Sequence, residues 1–128
     1  MTLHAVRADM AEACQEARRA LADVTLVAVS KSQPIHIIEA AIQEGQRVFG
    51  ENRVQEAEEK FPVLRARYPD IELHFIGHLQ TNKVKAAVAL FDVIETVDRP
   101  ALAEALSKEM IRQKKSLPCF IQVNTGDE

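Results

Sequence analysis

A single amine closes an almost wholly apolar, β-branched run, Val24-Thr-Leu-Val-Ala-Val-Ser-Lys31. A run of this kind, bounded by turn residues, reads as a strand buried on both faces. Lys31 stands at its C-terminal end, where parallel α/β sheets carry their chemistry. An amine at the rim of an apolar barrel is expected to be desolvated. Desolvation disfavours the ammonium and leaves more free amine to attack a carbonyl. Lys31 is therefore suited to a Schiff base with an aldehyde or ketone. Taken alone, the same lysine also reads as a solvated strand cap, and its surroundings have to separate the two.

Further polar groups gather where later strands should end. They are Glu51 and Asn52, then His78, Gln80, Asn82 and Lys83, then Asp98, then Asn124. In a barrel these ends surround one cavity, and a lysine among amides suits a small polar carbonyl compound. Glu51 is weighed as a base near the amine against a surface role or a salt bridge, and the latter two are favoured. Asp98 reads as a helix cap. His74 and His78 are four apart, but Gly77 lies between them and no third ligand has a matching spacing, so no zinc site is expected. No GxGxxG or Walker loop occurs. Tyr68, the only tyrosine, falls in a turn at the opposite end of the sheet from Lys31.

The elements that must position these residues follow from periodicity. Leu3, Val6, Met10, Ala13, Ala17 and Leu21 mark an amphipathic helix ending near Asp23, docked on its own domain. After the first strand, Ser32 is expected to cap a helix with Pro34 in its first turn. Ile35, Ile38, Ala41 and Ile42 form its inner face, and Gly45 stops it. A second strand at 47–49 leads through Gly50 into a helix over 53–66. Val54, Ala57, Phe61 and Leu64 face inward there, and Pro62 is expected to kink or shorten it. Strand 71–76 follows, then a helix capped by Thr81 and running to about Leu90. Strand 91–96 comes next, then a helix opened by Asp98 and Pro100, then strand 118–123. Strand starts near Val24, Arg47, Ile71, Phe91 and Pro118 are 23, 24, 20 and 27 residues apart, one βα unit each. This alternation means a parallel sheet with right-handed crossovers. Periodicity alone fits both an open doubly wound sheet and part of a barrel.

Bulk properties exclude several classes. The 128 residues, 47% hydrophobic and 27% charged, suit one globular domain. A net charge of −3 leaves no electrostatic footprint for nucleic acid or an anionic membrane. The basic cluster at 112–115 reads as the last turn of a helix. No apolar run reaches a membrane span, and the N-terminus has no apolar signal core, so a cytoplasmic protein is expected. Cys14 and Cys119 read as reduced core residues without a disulfide.

Three motifs then combine. Leu26-Val-Ala-Val-Ser-Lys31, Phe49-Gly-Glu-Asn-Arg-Val-Gln-Glu56 and His74-Phe-Ile-Gly-His-Leu-Gln-Thr-Asn-Lys83 stand in the order and spacing of the pyridoxal-phosphate homeostasis (YggS/PROSC) family, which the chain resembles over essentially its whole length. The resemblance implies a barrel similar to the N-terminal domain of alanine racemases. Residues 1–128 would form the N-terminal portion of that single domain. This is a partial (β/α)8 TIM-type barrel with an N-terminal helix, about five parallel strands and four crossover helices. It implies that Lys31 carries pyridoxal 5′-phosphate as a Schiff base, that Asn52 lies close to the cofactor, and that there is no established catalytic turnover. The family is thought to hold and buffer the reactive aldehyde. Two other readings stand beside this one. One is a racemase-like pyridoxal-phosphate enzyme, disfavoured because no second acid/base faces the lysine. The other is a fragment that no longer binds cofactor. An eight-unit barrel takes about 250 residues. The chain is therefore expected to be a truncated or proteolysed piece, or a half-barrel that self-associates through exposed strand edges.

Overall fold

The computed structural model describes residues 2–126. The last two residues of the polar tail that follows the fifth strand lie outside it. The elements alternate: α1 (Leu3–Glu16), β1 (Ala28–Val29), α2 (Ile35–Gln43), β2 (Val48–Glu51), α3 (Val54–Arg67), β3 (Glu72–Phe75), α4 (Val84–Leu90), β4 (Val93–Val97), α5 (Pro100–Gln113) and β5 (Cys119–Ile121). Short 3-10 turns at Leu21–Asp23 and Thr81–Lys83 precede β1 and α4. All five strands are parallel, in the order β1-β2-β3-β4-β5. A doubly wound sheet reverses its strand order at a switch point. The sequential order here is that of a barrel, and the sheet is open between β1 and β5.

The core lies between the sheet and its crossover helices. Phe49, Leu73, Phe75 and Ile94 from the strands pack in one cluster with Ile38 and Ile42 of α2, Ala57, Phe61 and Leu64 of α3, Val88 of α4 and Leu102 and Leu106 of α5. Phe75 meets Phe91 edge-on with centroids 5.1 Å apart. Burying each such ring is worth about 1.5–3 kcal/mol. Phe49, Leu73 and Phe75 thus face the helices, and the two-residue period sends Gly50, Glu72 and His74 to the opposite, inner face. There His74 Nδ1 lies 2.8 Å from Glu95 Oε2.

Several boundaries differ from the sequence reading. β1 is two residues long and Val29 is 54% exposed, so the run 24–31 is not a strand buried on both faces. It is an edge strand with one neighbour and an open inner face. α1 ends at Glu16 because Arg18 turns left-handed, with φ 57°, and the Arg19 N–H closes back on Cys14 C=O at 2.9 Å. α1 docks through buried Cys14 and through Arg7, which donates to Glu44 C=O and Gln46 Oε1 at 2.8 Å each. α3 runs unbroken through Pro62, because buried Phe61 and Leu64 on either side hold it to the core. The N-cap positions of α2, α4 and α5 are Pro34, Lys83 and Arg99, without side-chain capping bonds, in place of Ser32, Thr81 and Asp98. Asp98 pairs instead with Arg99 at 2.6 Å. Arg112 lies in the last turn of α5, as the basic cluster suggested, and just beyond it Lys115 donates to the Val88 and Ala89 carbonyls at the end of α4. Both cysteines are free, but Cys119 is exposed on edge strand β5, and only Cys14 is a core residue.

Candidate functional site

Lys31 and Asn52 occupy matching places on neighbouring strands. The β1–β2 register pairs Val29 with Gly50, and the ladder continues through the Ser30 N–H, which donates to Gly50 C=O at 2.9 Å. Lys31 and Asn52 each stand two residues beyond that pair. Adjacent strands lie about 4.8 Å apart, so both residues share one stretch of the C-terminal rim. Neither side chain makes a hydrogen bond or ion pair among the described residues. An unengaged amine beside an unengaged amide is a donor set open to a polar ligand.

The surroundings of the two residues differ. Lys31 is exposed, so the desolvation expected of it does not occur in this chain. The open inner face beside β1 leaves its amine in water. Asn52 is half-buried and opens onto a cavity of about 440 Å³ lined also by Arg53, His78, Gln80 and Lys83, which Lys31 does not line. Gly77 explains how Asn52 is held. A Cβ at position 77 would come within 2.6 Å of Asn52 O and 2.8 Å of Asn52 Cβ, so only glycine lets β3 pass this close. Thr96 Oγ1 donates to Gly77 C=O at 2.6 Å and extends the arrangement to β4.

The turn that carries Lys31 rests on a buried polar cluster. The Gln33 N–H donates to Ser30 C=O at 3.1 Å, closing a four-residue turn with Lys31 and Ser32 in the middle. Ser32 has φ 62°, the positive value that the third residue of a type II turn requires and glycine usually supplies. An L-residue there costs about 1 kcal/mol. The Ser32 N–H is anchored on Glu56 Oε2 at 2.6 Å. Lys60, buried on α3, donates to Glu56 Oε2 at 2.7 Å, Glu51 Oε2 at 3.0 Å, Ser30 C=O at 3.1 Å and Gln33 C=O at 3.3 Å. Ser30 Oγ also donates to Glu51 Oε2. The Lys60 ammonium, bonded to Glu56, holds that carboxyl below the usual range; the Ser32 N–H adds to the effect and burial opposes it.

Glu51 is therefore a fully buried salt-bridge partner on the helix side of the sheet and not a base beside Lys31. The sequence reading missed Lys60 and Ser30 as supports of the site. The one available signal was the i,i+4 pair Glu56–Lys60 on a predicted helix. His74 pairs with Glu95, while His78 is exposed and 3.9 Å from Asp98. Among the described residues, no group of three or more His, Cys, Asp or Glu is placed to hold a metal. No helix among them is long and apolar enough to cross a membrane.

Residues 3–128 match the family described as alanine racemase, N-terminal domain. This chain belongs to that family. Among relatives, the pyridoxal phosphate homeostasis protein of Pasteurella multocida is 41% identical over 123 residues, covering 96% of this chain and 53% of that protein. PipY of Synechococcus elongatus, solved with PLP bound, superposes with a TM-score of 0.81 at 40% identity, covering 93% of this chain and 56% of that one. A protein of Bifidobacterium adolescentis superposes with a TM-score of 0.91 at 34% identity, covering 98% of this chain and 54% of that one. The chain spans about half the length of the curated relatives it matches.

Proposed function

We propose that this chain is the N-terminal part, residues 1–128, of a cytoplasmic, non-catalytic carrier of pyridoxal 5′-phosphate, with Lys31 holding the cofactor and Asn52 beside it. The observation that carries the reading is the pairing of an unengaged amine and an unengaged amide at matching positions on the β1–β2 rim. The cofactor supplies an aldehyde that a primary amine can hold covalently with loss of one water. Lys31 is accessible for that attachment, and Asn52 offers both a donor and an acceptor to a polar ring substituent. The names of the relatives and the PLP-bound PipY structure support the same reading.

A carrier without turnover is favoured over a racemase by the position of Tyr68. Racemisation needs a second acid/base facing the lysine. The Tyr68 hydroxyl donates to Glu39 Oε2 at 3.0 Å and accepts from Gln43 Nε2 at 3.2 Å, beyond the end of α3 and away from the rim.

The deciding experiment is a visible spectrum with added pyridoxal 5′-phosphate, followed by borohydride reduction and peptide mass mapping. A Schiff-base band and one reduced adduct on Lys31, both lost in Lys31→Ala, are expected. No band, or adducts scattered over many lysines, would sink the reading in favour of a chain that binds no cofactor by itself. Self-association belongs to the same proposal. Edge strand β5 and its flank expose Phe120, Ile121 and Val123 at 54%, 80% and 69%, and open apolar edges pair. Light scattering at micromolar concentration should show a dimer or larger, and a monomer would remove this part.

A further inference from the structure

Lys60 is the buried charged group that the proposed carrier role leaves unused. An ammonium has three donors, and Lys60 has four acceptors within 3.3 Å, so none of its donors is idle. Two of those acceptors, Ser30 C=O and Gln33 C=O, are the first and last carbonyls of the turn that bears Lys31. A third, Glu56 Oε2, also takes the N–H of left-handed Ser32. A stability role alone would be served as well by apolar side chains in place of the whole ion cluster, since buried ion pairs replaced together by hydrophobic residues rarely lose stability. Here the partners converge on the one turn whose two middle residues are an exposed lysine and a strained serine.

We propose that Lys60 is a positioning residue for Lys31. It ties both ends of the turn to the carboxylates of Glu51 and Glu56 and so fixes the direction in which the Lys31 amine leaves β1. Glu51 and Glu56 anchor Lys60 and also meet the turn directly, at Ser30 Oγ and the Ser32 N–H. The inference rests on the reading of Lys31 as the cofactor lysine, but its first readout is independent of cofactor.

The test compares the full chain with its Lys60→Met variant. The first measurement is amide hydrogen exchange at Ser32 and Gln33. The second is the share of pyridoxal 5′-phosphate adduct on Lys31 relative to exposed Lys85 and Lys108 after borohydride reduction. Losing charged hydrogen bonds to the turn should speed exchange at Ser32 and Gln33 by about tenfold or more. The core amides of Ala87 and Val88 in α4 should keep their protection. The Lys31 adduct share should fall in parallel. A folded variant with wild-type turn exchange and wild-type Lys31 selectivity would overturn the proposal. Should Lys60→Met fail to fold, Lys60→Met combined with Glu51→Gln supplies the same comparison, because it removes the buried charge that the single variant would strand. If the wild-type adduct is scattered over many lysines, the cofactor reading fails, and turn exchange alone still decides whether Lys60 orders the turn.

Discussion

Two lysines lie close to one turn and live in opposite conditions. Lys31 is exposed and has no partner among the described residues. Lys60 is buried with a side chain 9% exposed and is bonded to two carboxylates and two carbonyls. The chemistry of the side chain is the same in both. What differs is whether the fold supplies acceptors. A lysine buried with its ammonium held by carboxylates and carbonyls is structural, because no carbonyl ligand can reach its nitrogen. A lysine on the rim with none satisfied is available, and its reactivity depends on how firmly its backbone is aimed. The two roles are complementary: the engaged amine holds the turn that presents the free one.

The comparison breaks first on stability. Lys60→Met leaves Glu51 buried without its countercharge and should cost about 3–5 kcal/mol in urea denaturation. Lys31→Met should stay within about 0.5 kcal/mol. Equal losses in the two would mean that the structural and available roles are not separated. Glu51→Gln added to Lys60→Met should restore part of the loss by removing the stranded charge.

Asn52 sharpens the contrast on the rim side. Gly77→Ala would force a Cβ against Asn52 backbone atoms and should cost about 1–3 kcal/mol by thermal melting. Gly50→Ala should cost less, because its new Cβ would meet the side chains of Ile76 at 3.0 Å and Val27 at 3.1 Å, which have room to shift. If Gly50→Ala proved the more damaging, Asn52 would not be held by the close approach of Gly77.

Acid should separate the two lysines as well. The folded-state pKa of Glu56 is lowered from 4.5, chiefly by its hydrogen bond with Lys60. A depressed carboxyl contributes stability that is present above 4.5 and is lost as pH falls through the folded value. Denaturation midpoints measured downward from pH 5 should drop, and Glu56→Ala should flatten that limb. Lys31→Met should leave it unchanged.

The smallest effect is expected at the residue between the two lysines. Ser32→Gly removes a left-handed strain of about 1 kcal/mol but adds about 0.4–1 kcal/mol of unfolded-state entropy. The net change should lie within about 0.5 kcal/mol. A loss well beyond that would show that the serine side chain itself supports the turn.

The regular βα alternation was legible because hydrophobic periodicity is a local signal, and α3 with inward Val54, Ala57, Phe61 and Leu64 came out as read. Caps were read less well. Ser32, Thr81 and Asp98 are all good capping types, yet the turns before their helices place Pro34, Lys83 and Arg99 at the cap positions. Of the two readings favoured for Glu51, the salt bridge holds and the surface role does not, since Glu51 is fully buried against Lys60, a partner that could not be named. Burial at the edges was overestimated, since Val29 and Cys119 belong to strand types that are buried only where the sheet has neighbours on both sides.

By itself the sequence determined that there is a parallel α/β sheet, that a lysine lies just past its first strand, and that glycine-bearing motifs lie at the ends of the next two. Each of these depends on residues within a few positions of one another. Only the tertiary structure decided the strand order, the register that pairs the Lys31 and Asn52 rims, and which lysine is free. The contacts that bury Lys60 reach across 30 residues to Ser30 and 27 to Gln33. No local pattern encodes contacts at that separation, because they form only when α3 packs against the end of the first strand.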